Sequence, residues 1–198
     1  MDTHIIIDKA IPFVIMIALW LNGWFYPLLL VPILYVMVFE KRGPYFIGFE
    51  LSKIRRSAAL GLIAGNLLSL VYLGLFIFCR VVVQPLGDID WSVLFTSMVW
   101  FSFYDEIVYR GFFISHFSDA NESMFSPRGL VVNLLQTLMF ISTPIKVLSI
   151  GQPLVLLFFS LLGFTNGLVF MRTRNLAGCI LSHSIVIGST WLFPRIFG

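Results

Sequence analysis

Residues 58–83 read AALGLIAGNLLSLVYLGLFIFCRVVV, with one charge, Arg80, near the end. A helix needs about 20 apolar residues to cross the hydrocarbon of a bilayer, and this run supplies them. Pro85-Leu86-Gly87-Asp88 closes it with turn formers. The rest of the chain has the same character. Of its 198 residues, 59% are hydrophobic and 12% charged, and the mean hydropathy is +0.94. A soluble domain is about a quarter charged and less than half apolar. A soluble fold of this size would leave much of that apolar surface, including many of the 21 phenylalanines, facing water. The composition therefore excludes a disordered chain, a nucleic-acid-binding module and an ordinary water-soluble enzyme. Two cysteines, Cys79 and Cys179, make no disulfide framework. The expected fold is all-α, a polytopic transmembrane helix bundle with membrane lipid as its surroundings.

Residues 10–39 are apolar throughout but too long for one comfortable span. Asn22-Gly23 divides them into a hairpin within 5–39, with helices at 5–21 and 24–39; a single helix kinked at Pro27 is the alternative. No signal-peptide cleavage pattern precedes them, so the first helix is expected to be retained. Glu40-Lys41-Arg42-Gly43-Pro44 stops the second helix, and residues 45–56 suit a segment lying at the interface. Further helices fit 92–117, 129–142, 153–171 and 175–193. The count is about seven spans, with six or eight as alternatives, in one integral membrane domain over residues 1–198. Seven spans place Lys9, Lys41, Arg42, Lys53, Arg55, Arg56, Arg128, Arg172 and Arg174 on one side, and Arg80, Lys146 and Arg195 on the other. That bias puts the N-terminus in the cytoplasm, with the cell inner membrane as the expected location.

Helix 92–117 departs from the pattern. It contains Tyr104-Asp105-Glu106-Ile107-Val108-Tyr109-Arg110-Gly111. Ionised groups near mid-bilayer cost several kcal/mol unless paired or wetted, so they mark function by default. Glu106 and Arg110 are one turn apart and share a face, with Ser102 one turn earlier. Asp105 points about 100° away, toward the face of Phe101 and Tyr109. A structural ion pair explains Glu106 and Arg110 but adds a second carboxylate without a cation. One carboxylate held by the arginine while the other acts on water is the arrangement a supported general base requires. His183 reaches a similar depth, about 12 Å from the inner end of its helix against about 18 Å for Glu106. Cys179 precedes it by four residues, so a Cys–His dyad competes with simple packing. Asn133, Gln136, Thr137 and Asn166 read as interhelical hydrogen bonders. There is no His-Glu-x-x-His, no Gly-x-Ser-x-Gly and no phosphate-cradling glycine loop. No metal or other cofactor is expected.

Asp105-Glu106-Ile107-Val108-Tyr109-Arg110-Gly111-Phe112 resembles the Glu-Glu-x-x-x-Arg-Gly-Phe signature of the CAAX-protease and bacteriocin-processing (CPBP) family of intramembrane glutamic endopeptidases. The stretch from Gly167 to Leu176, followed by Ile180-Leu181-Ser182-His183, resembles that family's closing segment with its last-motif histidine. The resemblance covers residues 92–190 and marks 92–193 as a family-like catalytic core. It implies an endopeptidase in which a carboxylate and a histidine activate a water. Asp105 occupies the general-base position, Glu106 paired with Arg110 supports it, and His183 holds the oxyanion or the water. The implied partner is a peptide or protein with a hydrophobic or C-terminal tail: a C-terminal sorting tail, a leader peptide or a prenylated C-terminus. Three positions depart from the family pattern. Asp105 is one methylene shorter than the usual glutamate. Pro144 stands where Phe140-x-x-x-His is usual, with His116 as a conceivable substitute expected at the cytoplasmic edge. Ile187 stands where a polar residue usually follows the last histidine by four. The alternatives are a catalytically inactive membrane scaffold or immunity-type partner and, third, a transporter.

Overall fold

A computed structural model describes residues 3–21, 30–83, 90–143 and 152–198. The turn expected at Asn22-Gly23, the kink at Pro27, the break at Pro85-Leu86-Gly87-Asp88, and Pro144 and Lys146 lie outside the described residues. Among those described, there are seven helices and no strand: α1 (Thr3–Leu21), α2 (Leu30–Phe39), α3 (Ile54–Cys79), α4 (residues 91–117), α5 (Pro127–Ile141), α6 (Pro153–Thr173) and α7 (Leu176–Ile196). Two 3₁₀ turns, Pro44–Ile47 and Leu51–Lys53, lead into α3. Pro44–Cys79, Pro153–Thr173 and Leu176–Ile196 are each long and apolar enough to cross a membrane; Lys9–Leu21, Leu30–Phe39 and Pro127–Ile141 are shorter apolar helices. The chain is an all-α integral membrane bundle.

Local chemistry sets the helix ends. The Asp90 carboxylate accepts from the backbone N–H groups of Ser92 and Val93 and starts α4. The Ser92 hydroxyl, hydrogen-bonded at 2.6 Å, is the main reason this carboxyl lies below its ordinary pKa. α3 begins at Ile54 and ends at Cys79, short of the Pro85 break, because Arg80 adopts a left-handed conformation (φ 52°). α6 and α7 are joined by two residues: Arg174 is left-handed (φ 50°), and Asn175 is extended and caps α7 by accepting from Ala177 N at 2.9 Å.

Within residues 45–56, expected at the interface, Tyr45, Leu51 and Ile54 are exposed and one short stretch is buried. Ile47 is fully buried, and Gly48 (φ 94°) accepts the first N–H of α7, from Leu176, at 3.0 Å. A Cβ on Gly48 would also press on Phe170. Ile47 and Gly48 are wedged between α4 and the start of α7.

α3 and α7 make the most extensive helix–helix interface. Ser57, Gly61 and Gly65 of α3 face Gly178 and Ser182 of α7 so closely that a Cβ on Gly61 would overlap the Gly178 backbone. The Ser57 hydroxyl donates to Asn175 O and accepts from Gly178 N, each at 2.9 Å. Small residues that let backbones touch are how membrane helices gain packing energy without a hydrophobic driving force. Gly61→Leu is expected to cost at least about 1–3 kcal/mol through overpacking, read as a lower melting temperature in detergent; an unchanged melting temperature would refute this contact.

From Ser102 onward α4 is enclosed by the others, whereas most of its first turns, from Trp91 to Phe101, are exposed. Its segments Ser97–Phe101 and Glu106–Ile114 are π-helical, and all nine residues of the second are buried. Such wide turns are uncommon and recur at functional sites. At one end of the bundle, Lys9 donates to the carbonyl of His116, His116 Nε2 lies 3.0 Å from Glu40 Oε1, and Arg128 pairs with Asp119 at 2.6 Å. Arg174 donates to Ser118 Oγ at 2.8 Å and to the Asp119 carbonyl. Lys9, Arg128 and Arg174, all assigned to one side from the sequence, thus meet at one end.

Candidate active site

The charged face of α4 is built around Glu106, which is completely buried. Its Oε2 lies 3.2 Å from Arg110 Nε, off the line of the N–H, so the two form an ion pair without a well-aligned hydrogen bond. Its Oε1 accepts from His183 Nδ1 of α7 at 2.8 Å and from Asn166 Nδ2 of α6 at 3.0 Å. Three helices therefore converge on one carboxylate. Since an ionised carboxylate only accepts, its partner nitrogen Nδ1 is assigned the ring proton, which turns Nε2 away from Glu106.

Each partner is fixed in turn. The Arg110 guanidinium, fully buried, lies 4.6 Å over the Phe140 ring, and Nη2 donates to Gly163 O at 3.1 Å. Gln136 Nε2 donates to the same carbonyl at 3.0 Å and to Asn133 Oδ1 at 2.7 Å. Asn133 Nδ2 reaches Phe164 O at 3.1 Å, so the polar stripe of α5 is held against the backbone of α6. Phe140 also meets His183 edge-on, with ring centroids 5.8 Å apart. Arg110 and His183 thus share one aromatic wall. Buried charges and amides are costly in lipid unless paired or hydrogen-bonded, which is what these contacts supply in part.

The structure brings together Glu106, Arg110 and His183. Asp105, 9% exposed, precedes Glu106 on the adjacent face of α4. The Cys179 thiol donates to Asn166 O at 3.2 Å, an engagement with backbone that suits packing. His116 binds Glu40 and the Phe112 carbonyl about 15 Å along α4 from Glu106, so it stays at the end of the bundle and does not enter the site. From the sequence Asn166 is an interhelical hydrogen bonder with no named partner, and the structure gives it Glu106. The signal was present: Asn166 is eight residues before Arg174 and His183 eight after Asn175, so a tight α6–α7 turn sets both at one depth. Ser102 Oγ, Ser182 Oγ, Arg110 Nη1, Gln136 Oε1 and Asn166 Oδ1 are buried without a hydrogen-bond partner among the described residues.

Two carboxylates, one buried cation and an oriented imidazole suit hydrolysis by an activated water. Among the described residues, no three His, Cys, Asp or Glu side chains gather as metal ligands would. The type II CAAX prenyl endopeptidase Rce1-like family matches residues 75–187, more than half of the chain and the whole of this cluster. No curated protein and no solved structure matches the chain.

Proposed function

The chain belongs to the type II CAAX prenyl endopeptidase Rce1-like family, and on that premise we propose that it is a glutamic-type intramembrane endopeptidase hydrolysing a peptide bond near the membrane surface. The family implies CAAX-type protease activity and substrates with prenylated or hydrophobic tails. A C-terminal sorting tail or a leader peptide is the same chemistry presented on another tail. The observation that carries the reading is the fully buried Glu106 bound at once by His183 and Arg110.

Glu106, held by donors from α6 and α7 and by its ion pair with Arg110, is a support and not a proton acceptor in turnover. Asp105, the neighbouring carboxylate, is the general base that takes a proton from the attacking water. His183, its Nδ1–H held by Glu106, presents Nε2 as an acceptor to the water, and as the imidazolium it donates from Nε2 to the oxyanion. Arg110 balances the buried charge. The low dielectric around these groups strengthens each interaction with charge that develops on the scissile carbonyl. Residues 1–198 act as one membrane domain with the chemistry in 92–193. The basic end and the N-terminus face the cytoplasm of the inner membrane.

The test uses the purified chain in lipid nanodiscs with a peptide ending in prenyl-cysteine and three further residues. Release of the tripeptide is expected to fall by at least about 100-fold in each of Asp105→Ala, Glu106→Ala and His183→Ala. If all three fold and cleave at the parent rate, the proteolytic reading fails and a non-catalytic scaffold takes its place. Cys179→Ala is expected to keep kcat within about threefold, because a thiol hydrogen-bonded to backbone acts as a small apolar residue; loss of turnover there would revive the Cys–His dyad.

A further inference from the structure

Within the active site proposed above, we infer that Asn166 is a positioning residue: its amide holds Glu106 in the orientation that fixes His183, and turnover depends on that one N–H. The inference rests on the proteolytic reading and extends it to a residue on a helix that carries no charge near the site.

Asn166 is fully buried at the middle of α6. Nδ2 lies 3.0 Å from Glu106 Oε1 and 3.1 Å from Cys179 O, so two acceptors flank it and the amide has one possible orientation. The oxygen that receives this N–H is the one that receives His183 Nδ1, whereas Arg110 is paired with the other oxygen. The amide and the imidazole therefore share a single acceptor, and moving either shifts the other. The second bond, to the carbonyl of Cys179, ties the same amide to α7 one turn before His183. Cys179 returns the link by donating its thiol to Asn166 O at 3.2 Å. Asn166 thus braces both ends of the Glu106–His183 pair, from the acceptor and from the helix that carries the donor. Its Oδ1 is buried without a partner among the described residues. A residue kept only for packing would not place an amide here, because an apolar side chain of the same volume avoids that unmet acceptor.

The shape of α6 is fitted to this residue. Gly163 and Gly167 flank it, and a Cβ on Gly163 would press on Phe140, Thr137 and Arg110, while one on Gly167 would collide with the Asn133 and Gln136 amides. The helix thus comes close enough to α5 and α4 for a side chain as short as asparagine to reach Glu106. The titratable groups around Asn166 are Glu106 on α4 and Cys179 on α7, which it touches, and Arg110 and His183, which share Glu106 with it; the α5 side chains in this network, Asn133, Gln136 and Thr137, are neutral.

Asn166→Asp preserves the shape but replaces the donor with a group that repels Glu106 when ionised and donates to it when protonated. Asn166→Leu removes the donor at every pH. With the full chain in nanodiscs and the prenylated peptide as probe, kcat and KM are measured from pH 5 to pH 8 and expressed relative to the parent at each pH. At pH 8, Asn166→Asp is expected to lower kcat roughly 10–100-fold, the equivalent of losing a hydrogen bond to a charged group, with KM within about twofold. Its relative kcat should climb as the pH falls and the new carboxyl gains a proton, while Asn166→Leu stays low throughout. A relative kcat near one at pH 8, or a loss in Asn166→Asp that does not change with pH, overturns the inference and leaves Asn166 a packing residue. Undiminished cleavage by His183→Ala in the same assay would instead bring down the reading on which it rests.

Discussion

Arg110→Met is expected to destabilise the protein by about 3–5 kcal/mol, the largest stability effect of any single substitution in the site. The substitution keeps length and apolar contact with Phe140 but removes the charge, leaving Glu106 fully buried beside a thioether. Breaking one side of a buried pair carries this cost because the remaining ion has neither water nor counter-charge. The two remaining donors to Glu106, from Asn166 and His183, offset only part of it. The double variant Arg110→Met/Glu106→Leu removes both charges and should recover much of the loss, since replacing a buried pair with apolar groups is often neutral. Denaturant or thermal melts of the two variants and the parent, in one detergent, measure the cycle. A single variant as stable as the parent would show that Arg110 is not what compensates Glu106.

His183→Gln is expected to lower kcat by about 10²–10⁴ while leaving the melting temperature close to that of the parent. Glutamine retains an N–H within reach of Glu106, so the buried carboxylate keeps a donor and the bundle keeps its α4–α7 link. What is lost is the second ring nitrogen, the one turned away from Glu106, which can take up and release a proton as a side-chain amide cannot. Parallel loss of stability and activity would mean that the histidine is only structural. Loss of kcat alone separates its chemical role from its packing against Phe140.

Much of this arrangement was legible because lipid punishes unpaired charge. The i,i+4 spacing of Glu106 and Arg110 predicted a pair, and the structure has it at 3.2 Å. Comparing depths along two helices was enough to put His183 near Glu106, and the observed separation is 2.8 Å. Helix limits held to within a few residues wherever a capping side chain or a proline marks them, as at Asp90, Pro127 and Asn175. α3 was misjudged by several residues at each end, because nothing in the sequence marks Arg80 as left-handed and the apolar run continues past it. The wedge at Ile47–Gly48 was also hidden: its aromatic and basic composition suits an interface, and only the tertiary contact with Leu176 buries it. Asn166 makes the interhelical bonds its place in a span suggests, but the sequence names no partner for it. An uncharged residue in a span can find acceptors on several neighbours, so hydropathy and spacing do not choose among them. The proposed division of roles between Asp105 and Glu106 starts from the same geometry: Glu106 is engaged by donors from α6 and α7 and paired with Arg110, and the adjacent carboxylate, on another face of α4, is proposed as the base.

That division is tested most directly by the steady-state rate at which the nanodisc-embedded Asp105→Asn protein releases the C-terminal tripeptide from a prenylated peptide. Asparagine preserves size and leaves the Glu106–Arg110–His183 cluster in place, but it accepts no proton from water. A fall in kcat of at least about 10³, with KM and melting temperature unchanged, is the predicted result. Turnover by Asp105→Asn at the parent rate would contradict the assignment of Asp105 as the base in this membrane protein.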